Sequence, residues 1–291
     1  MLIDLRYHLT TMVAIFLALA VGILVGSSFI AGSSVQGLQR EFSKLRADNG
    51  EQRRIIDDMR GELEKHAEFD RATAPVLVNR RLSWRRIAII QTGDYSEATQ
   101  SAKSILEEAG AKVVSVTTLS NLDSPAARER VVRAVELITG ETAEPDPVAR
   151  LLEILANCIA TGSNPGALDV LEKKGLLSST GEYDRQTLQV VLVGGSRHKL
   201  SRRAEHIDLP LIDKLKAAGV MRVVGSEPLD AVTSYISAYH RKAIPTVDNV
   251  DRPMGQVALV YAMAGEDGNF GLKRSADRIV PAYIESGQWR F

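Results

Sequence analysis

With 291 residues, 45% of them hydrophobic and 25% charged, the chain has the composition of a folded domain with room for extensions. Its 36 basic and 36 acidic residues cancel, which argues against a nucleic-acid binder, whose affinity rests on a basic surface that displaces counterions. A single cysteine, Cys158, excludes an intramolecular disulfide and any multi-cysteine zinc or iron–sulfur centre, and reads as a small buried hydrophobe on a helix.

Residues 9–30 carry no charge, and Thr10, Thr11, Ser27 and Ser28 are their only polar side chains. At about 1.5 Å per residue the stretch reaches roughly 33 Å, enough for a hydrocarbon core of about 30 Å. A buried core helix is the alternative, and it fits poorly because the stretch is apolar on all faces and sits at the extreme terminus. A cleaved signal peptide would have a basic start, where here only Arg6 stands beside Asp4, and the cleavage-like Ala18-Leu19-Ala20 lies in mid-run. The expectation is an uncleaved, single-pass anchor over residues 1–31. Ala14, Ala18, Gly22 and Gly26 form a stripe of small side chains, and Gly22 to Gly26 is a G-x-x-x-G along which two helices can approach in lipid. Arg6 precedes the span and no Lys or Arg follows it until Arg40. This places the amino terminus in the cytoplasm and the remaining chain outside it. A window reaching Arg46 takes in three basic residues and favours the reverse.

From Val35 the apolar period changes. Val35, Leu38, Phe42, Leu45, Asn49, Gln52, Ile56, Met59, Leu63 and His66 alternate steps of three and four, the a/d seam of a heptad repeat. Asn49 falls at an a position, where a buried amide pair favours two strands in one register. Glu41 would face Arg46 of a second copy, and Asp48 would face Arg53, as in a parallel pair. The segment 32–74 is therefore expected to make a parallel homodimer. The alternative is a solitary amphipathic helix folded back on the following domain, since Gln52 and His66 interrupt the seam and Gly50 and Gly61 weaken the helix. Pro75 is expected to end the segment.

Residues 75–291 alternate strands with helices. Residues 87–91 read as a buried strand after Arg85-Arg86, leading through Thr92-Gly93-Asp94 to a helix capped by Ser96 and closed at Gly110. Residues 113–116 form a second strand, and Ser124-Pro125 opens a helix with proline at its first position. Helices follow over 147–160 and 167–174, while 178–184, rich in Ser, Thr and Gly, is expected to be mobile. A very apolar strand over 188–193 ends in Gly194-Gly195. A helix over 211–218 stops at Gly219, a strand over 221–224 ends in Gly225, and an apolar helix covers 254–264. Continuous apolar strands between helices predict an α/β fold with a mainly parallel, helix-covered sheet, Rossmann-like and three-layered.

Ligands of open α/β sheets lie outside the carboxyl ends of the strands, which makes Asp94, Ser196 and Glu227 candidate ligand residues. The glycines beside them could equally be plain turns. There is no dinucleotide fingerprint, Walker loop, nucleophile elbow or H-E-x-x-H, and no enzyme activity is expected. In Thr246-Val-Asp-Asn-Val-Asp251, the carboxylates of Asp248 and Asp251 could take a hard cation, or they could make turn and cap hydrogen bonds before Pro253. Soft donors are scattered: His198 and His206 sit in a basic stretch, and no spacing resembles a copper cage. No cofactor is evident.

Two stretches carry a resemblance. Met1-Leu-Ile-Asp-Leu-Arg-Tyr-His-Leu9 runs into Val13-Ala-Ile-Phe-Leu-Ala-Leu-Ala-Val-Gly-Ile-Leu-Val-Gly26. Thr246-Val-Asp-Asn-Val-Asp251 is followed by Gly255-Gln-Val-Ala-Leu-Val-Tyr-Ala-Met-Ala-Gly265 and Phe270-Gly271. Together they resemble the MctB-like "copper transporter" family of actinobacteria and some other bacteria. The resemblance implies a membrane-anchored envelope protein linked to copper homeostasis, described for mycobacterial members as an outer-membrane channel. The residues themselves do not read as a barrel, whose strands alternate in polarity. They also support a different reading, a dimeric interaction module presented to an envelope protein partner, with any copper role indirect. Asp248, Asn249 and Asp251 are motif residues to which the resemblance brings no role.

Overall fold

The computed structural model describes residues 5–122, 124–141, 145–199 and 201–285, with side chains throughout except at 5–6, 28–38, 283 and 285. The chain divides into two compact units, Met1–His66 and Ala67–Phe291.

Where described, the first unit is helix. It belongs to α1, Leu5–Val78, of which Tyr7–Ser27 is long and apolar enough to cross a membrane and is exposed along its length. The hydroxyls inside that stretch donate back to helix carbonyls, Thr11 to Tyr7 at 2.8 Å and Ser27 to Leu24 at 3.2 Å. Such bonds satisfy polar groups that lipid cannot. Further along, Phe42, Leu45, Ile56, Met59 and Leu63 of the expected seam are all exposed, and Asn49 donates to the Leu45 carbonyl at 2.9 Å. Val35 and Leu38 lie outside the described side chains.

The second unit opens with the last turns of α1. Contrary to expectation, Pro75 does not end the helix, which continues to Val78. Pro75 forgoes the N–H bond back to the preceding turn, and only Val76 to Val78 follow it in the helix. This end of the helix is held by packing: Ala74 and Val78 are buried in the core, and the Tyr261 hydroxyl donates to the Leu77 carbonyl.

Seven strands form one open sheet in the order β3-β2-β1-β4-β5-β6-β7. They are β1 Arg86–Gln91, β2 Lys112–Leu119, β3 Leu177–Gly181, β4 Gln189–Val193, β5 Arg222–Ser226, β6 Thr246–Val247 and β7 Asn269–Phe270. All pairings are parallel except β2 with β3. Neighbouring residues of one strand enter different cores. Ala88 and Ile90 of β1 and Val190 and Leu192 of β4 face α3 Pro125–Thr139, α4 Pro147–Thr161, α5 Pro165–Lys173 and α6 Leu209–Ala217. Ile87, Ile89, Val191 and Val193 face the end of α1, α2 Ser96–Glu108 and α8 Pro253–Ala264. The continuous apolar runs follow from this burial on both faces. Two short helices, α7 Ile236–His240 and α9 Ala282–Glu285, and a π-helical turn Ala204–Asp208 before α6 complete the described elements.

Arginines at the feet of β1 and β5 close the carboxyl end of α8. Arg85 donates to the Met263 and Ala264 carbonyls, and Arg222 to the Ala262 and Glu266 carbonyls. Both satisfy acceptors that a helix end leaves open and oppose its dipole.

Three local expectations are corrected. The stretch 178–184 is not loose: most of it is β3, antiparallel to β2, whose exposed position at the sheet edge needs no apolar residues. Ser96 is the first residue of α2 rather than its cap, which is Tyr95, with no side-chain cap bond. Strand β5 runs through Gly225 to Ser226, because Gly225 packs under the Tyr239 ring, whose Cδ2 would lie 2.4 Å from an added Cβ.

Candidate functional site

The strand order reverses between β1 and β4, and the loops leaving their carboxyl ends clasp each other. Thr92 and Gly93 donate to the Val193 carbonyl at 2.9 and 3.0 Å, and Asp94 donates to Gly195 at 3.1 Å. The approach is so close that a Cβ on Gly93 would lie 2.3 Å from the Gly195 carbonyl oxygen. The glycine is therefore set by contact between two loops as well as by a turn.

This clasp joins two of the expected residues. Asp94 accepts from the Ser196 hydroxyl at 2.6 Å and from the Arg197 N–H at 3.1 Å, while Ser196 Oγ also accepts from the His198 N–H at 3.1 Å. The Arg197 guanidinium lies over the Tyr95 ring, 4.4 Å from its centroid, and reaches Glu97 at 3.2 Å.

Glu227, fully buried at the end of β5, has a different setting. It pairs with Lys273 and accepts from the Tyr235 N–H at 2.7 Å and the Ser234 hydroxyl. Lys273 leads on to the 246–251 cluster, because its own N–H and that of Leu272 donate to Asp248 at 2.9 and 2.8 Å. Asp251 accepts from the Leu229 N–H at 2.8 Å. Asn249 is fully buried against α8, where a Cβ on Gly255 would lie 2.1 Å from its carbonyl oxygen. Gly271 approaches Asp248 as closely. The glycines and acids of the second motif thus lock β6, α8 and the loop after β7 together.

Beneath the clasp lies a group that the sequence reading missed. Asp208 is fully buried, accepting from Thr92 Oγ1 at 2.8 Å and from the Tyr239 hydroxyl. Burial pushes its carboxyl up to about 7 despite those bonds, and the same burial raises the Tyr239 hydroxyl. A signal was present: Ala204, Ile207, Asp208, Leu211, Ile212 and Leu215 recur at helical spacing, and the lone acid on that apolar stripe is buried with it.

Above the clasp opens a cleft of about 590 Å³. Asp94 and Ser196 line it together with Arg128 of α3 and with Lys199, Arg202 and Arg203. Arg203 is 7% exposed, and one of its terminal nitrogens donates to the Leu119 and Ser120 carbonyls at 2.6 and 2.8 Å.

Two soft donors, His198 and His206, line the cleft, and the other described ones are scattered. Cys158 is buried among apolar side chains, where its thiol is pushed up to about 11, and donates to the Asn164 carbonyl. Met263 is buried in α8. Among the described residues, no three His, Cys, Asp or Glu side chains are placed to hold one metal ion.

Comparison with known proteins gives one family. The model of the family described as "Copper transport outer membrane protein, MctB" matches residues 2–281. Among curated proteins, the chain is similar to "Copper transporter MctB" of Mycobacterium tuberculosis and of Mycobacterium bovis. In each case 22% of residues are identical, over 94% of this chain and 98% of the relative.

Proposed function

The chain belongs to the MctB family, and from that premise we propose that it is a membrane-anchored envelope protein of copper homeostasis. In this reading its Rossmann-like α/β domain lies outside the cytoplasm as a non-catalytic binding module. Copper tolerance then depends on the protein without the domain itself ligating copper. The observation that carries this reading is that, among the described residues, soft donors other than the His198 and His206 pair lie scattered, with Cys158 and Met263 each sealed in a core. The apolar span Tyr7–Ser27 supports the anchor. The exposed seam from Phe42 to Leu63, together with the Gly22 and Gly26 stripe, supports a parallel homodimer. The relatives' name favours a second reading, direct copper transport.

Growth in graded copper tests the proposal. Cells lacking this chain should lose copper tolerance, and the full chain should restore it, while a version without residues 9–30 should not. Unchanged tolerance on deletion would remove copper from the account.

A further inference from the structure

We propose that the cleft at the carboxyl ends of β1 and β4 is a binding site for a small organic phosphate, held by Arg128, Lys199, Arg202 and Arg203. The cleft sits where the strand order reverses, the position at which open α/β sheets take ligands. Its volume of about 590 Å³ falls in the usual small-molecule range of roughly 300–1,000 Å³.

The charge is the decisive feature. Many basic side chains elsewhere in the domain have acidic partners, as Lys112 has Glu182, Lys214 has Glu153, Arg222 has Asp267 and Arg241 has Glu205. Among the described residues, no ion pair or side-chain hydrogen bond engages Arg128, Lys199 or Arg202. Asp94 lines the cleft too, but its carboxylate is already held by Ser196 and Arg197. Arg203 is pinned by one terminal nitrogen, and its buried Nε has no hydrogen-bond partner. A chain with no net charge thus gathers four cations around one concavity. Their mutual repulsion is relieved by an anion.

A phosphate ester suits this wall better than a carboxylate. It carries about −1.5 to −2 charges and three acceptor oxygens, enough to engage a guanidinium fork and an ammonium together. Ser201 and Tyr235, joined at 3.0 Å on the cleft wall, offer hydroxyls to the rest of the ligand. This inference is independent of the copper reading.

The test is calorimetric titration of inorganic pyrophosphate into the full-length chain in detergent, with sodium sulfate as a weak-anion control. Saturable binding of one pyrophosphate per chain is expected. The triple substitution Arg128→Ala, Lys199→Ala and Arg202→Ala, all at exposed positions, should weaken it on the order of 100-fold. The pair Lys173→Ala and Arg274→Ala, outside the cleft, should leave it within about 2-fold, consistent with weak exposed charges. Unchanged circular dichroism establishes that the triple variant is folded, and Lys199→Glu gives an independent reading from one position. Phosphatidylglycerol vesicles that displace pyrophosphate would identify a lipid headgroup as the source of the phosphate, and no displacement would identify a soluble ester. Absence of saturable binding, or equal binding by the triple variant, overturns the site.

Discussion

Asp208 carries the sharpest consequence at the scale of single residues. One carboxylate oxygen takes bonds from Thr92 and Tyr239, while the other is buried with no hydrogen-bond partner. Its carboxyl is raised from 3.8 to about 7 by burial, so between those limits the folded chain holds a proton that the unfolded chain has released. Asp208 therefore favours the folded state at low pH, and that contribution is lost as pH rises from about 4 towards 7. Asp208→Asn keeps an acceptor for Thr92 and Tyr239 and cannot ionise. The difference in melting temperature between variant and parent should move in the variant's favour from pH 4.5 to pH 7.5. A pH-independent difference would contradict it. The expected positions Asp94 and Ser196 were legible because they follow glycines at strand ends, while the contact between them spans 102 residues of sequence and has no local trace. Asp208 was less legible, since its acid hides in a stretch that also reads as charged surface.

At the scale of elements, burial decided what the sequence could reveal. Strands β1 and β4 stood out because both their faces are covered, which makes the runs Ile87 to Ile90 and Val190 to Val193 apolar throughout. Strand β3, exposed at the edge, looked like a mobile loop for the opposite reason. Strands β6 and β7, two residues each, are too short for any periodicity to appear. They are specified by side-chain bonds instead, which makes the Glu227–Lys273 pair a keystone between the end of β5 and the loop after β7. Lys273→Met strands a fully buried carboxylate, and losing one partner of such a pair costs about 3–5 kcal/mol. Urea denaturation followed by circular dichroism should show that loss, and adding Glu227→Gln should recover much of it. If the double variant is no more stable than the single, packing rather than charge explains the effect.

For the whole molecule, the family match spans nearly the entire chain, while the described strands belong to one open sheet rather than a closed barrel. The sheet is open, mainly parallel and covered by helices on both faces, so its central strands have no side to offer lipid. The segment suited to the membrane is the helical stretch Tyr7–Ser27, which was plain in the sequence because hydrophobicity on every face needs no partner to be recognised. Function was less legible, because the residues of the second motif are occupied in holding backbone, and the cationic cleft is assembled from four separate stretches of chain. The central claim is that copper homeostasis depends on this protein without a copper site of its own. Competition titration of Cu(I) against a chromogenic chelator, using the full-length chain in detergent, addresses it most directly. The account predicts that the chelator keeps its copper at stoichiometric protein. Tight binding of one Cu(I) per chain would contradict it and make the protein a copper carrier in its own right.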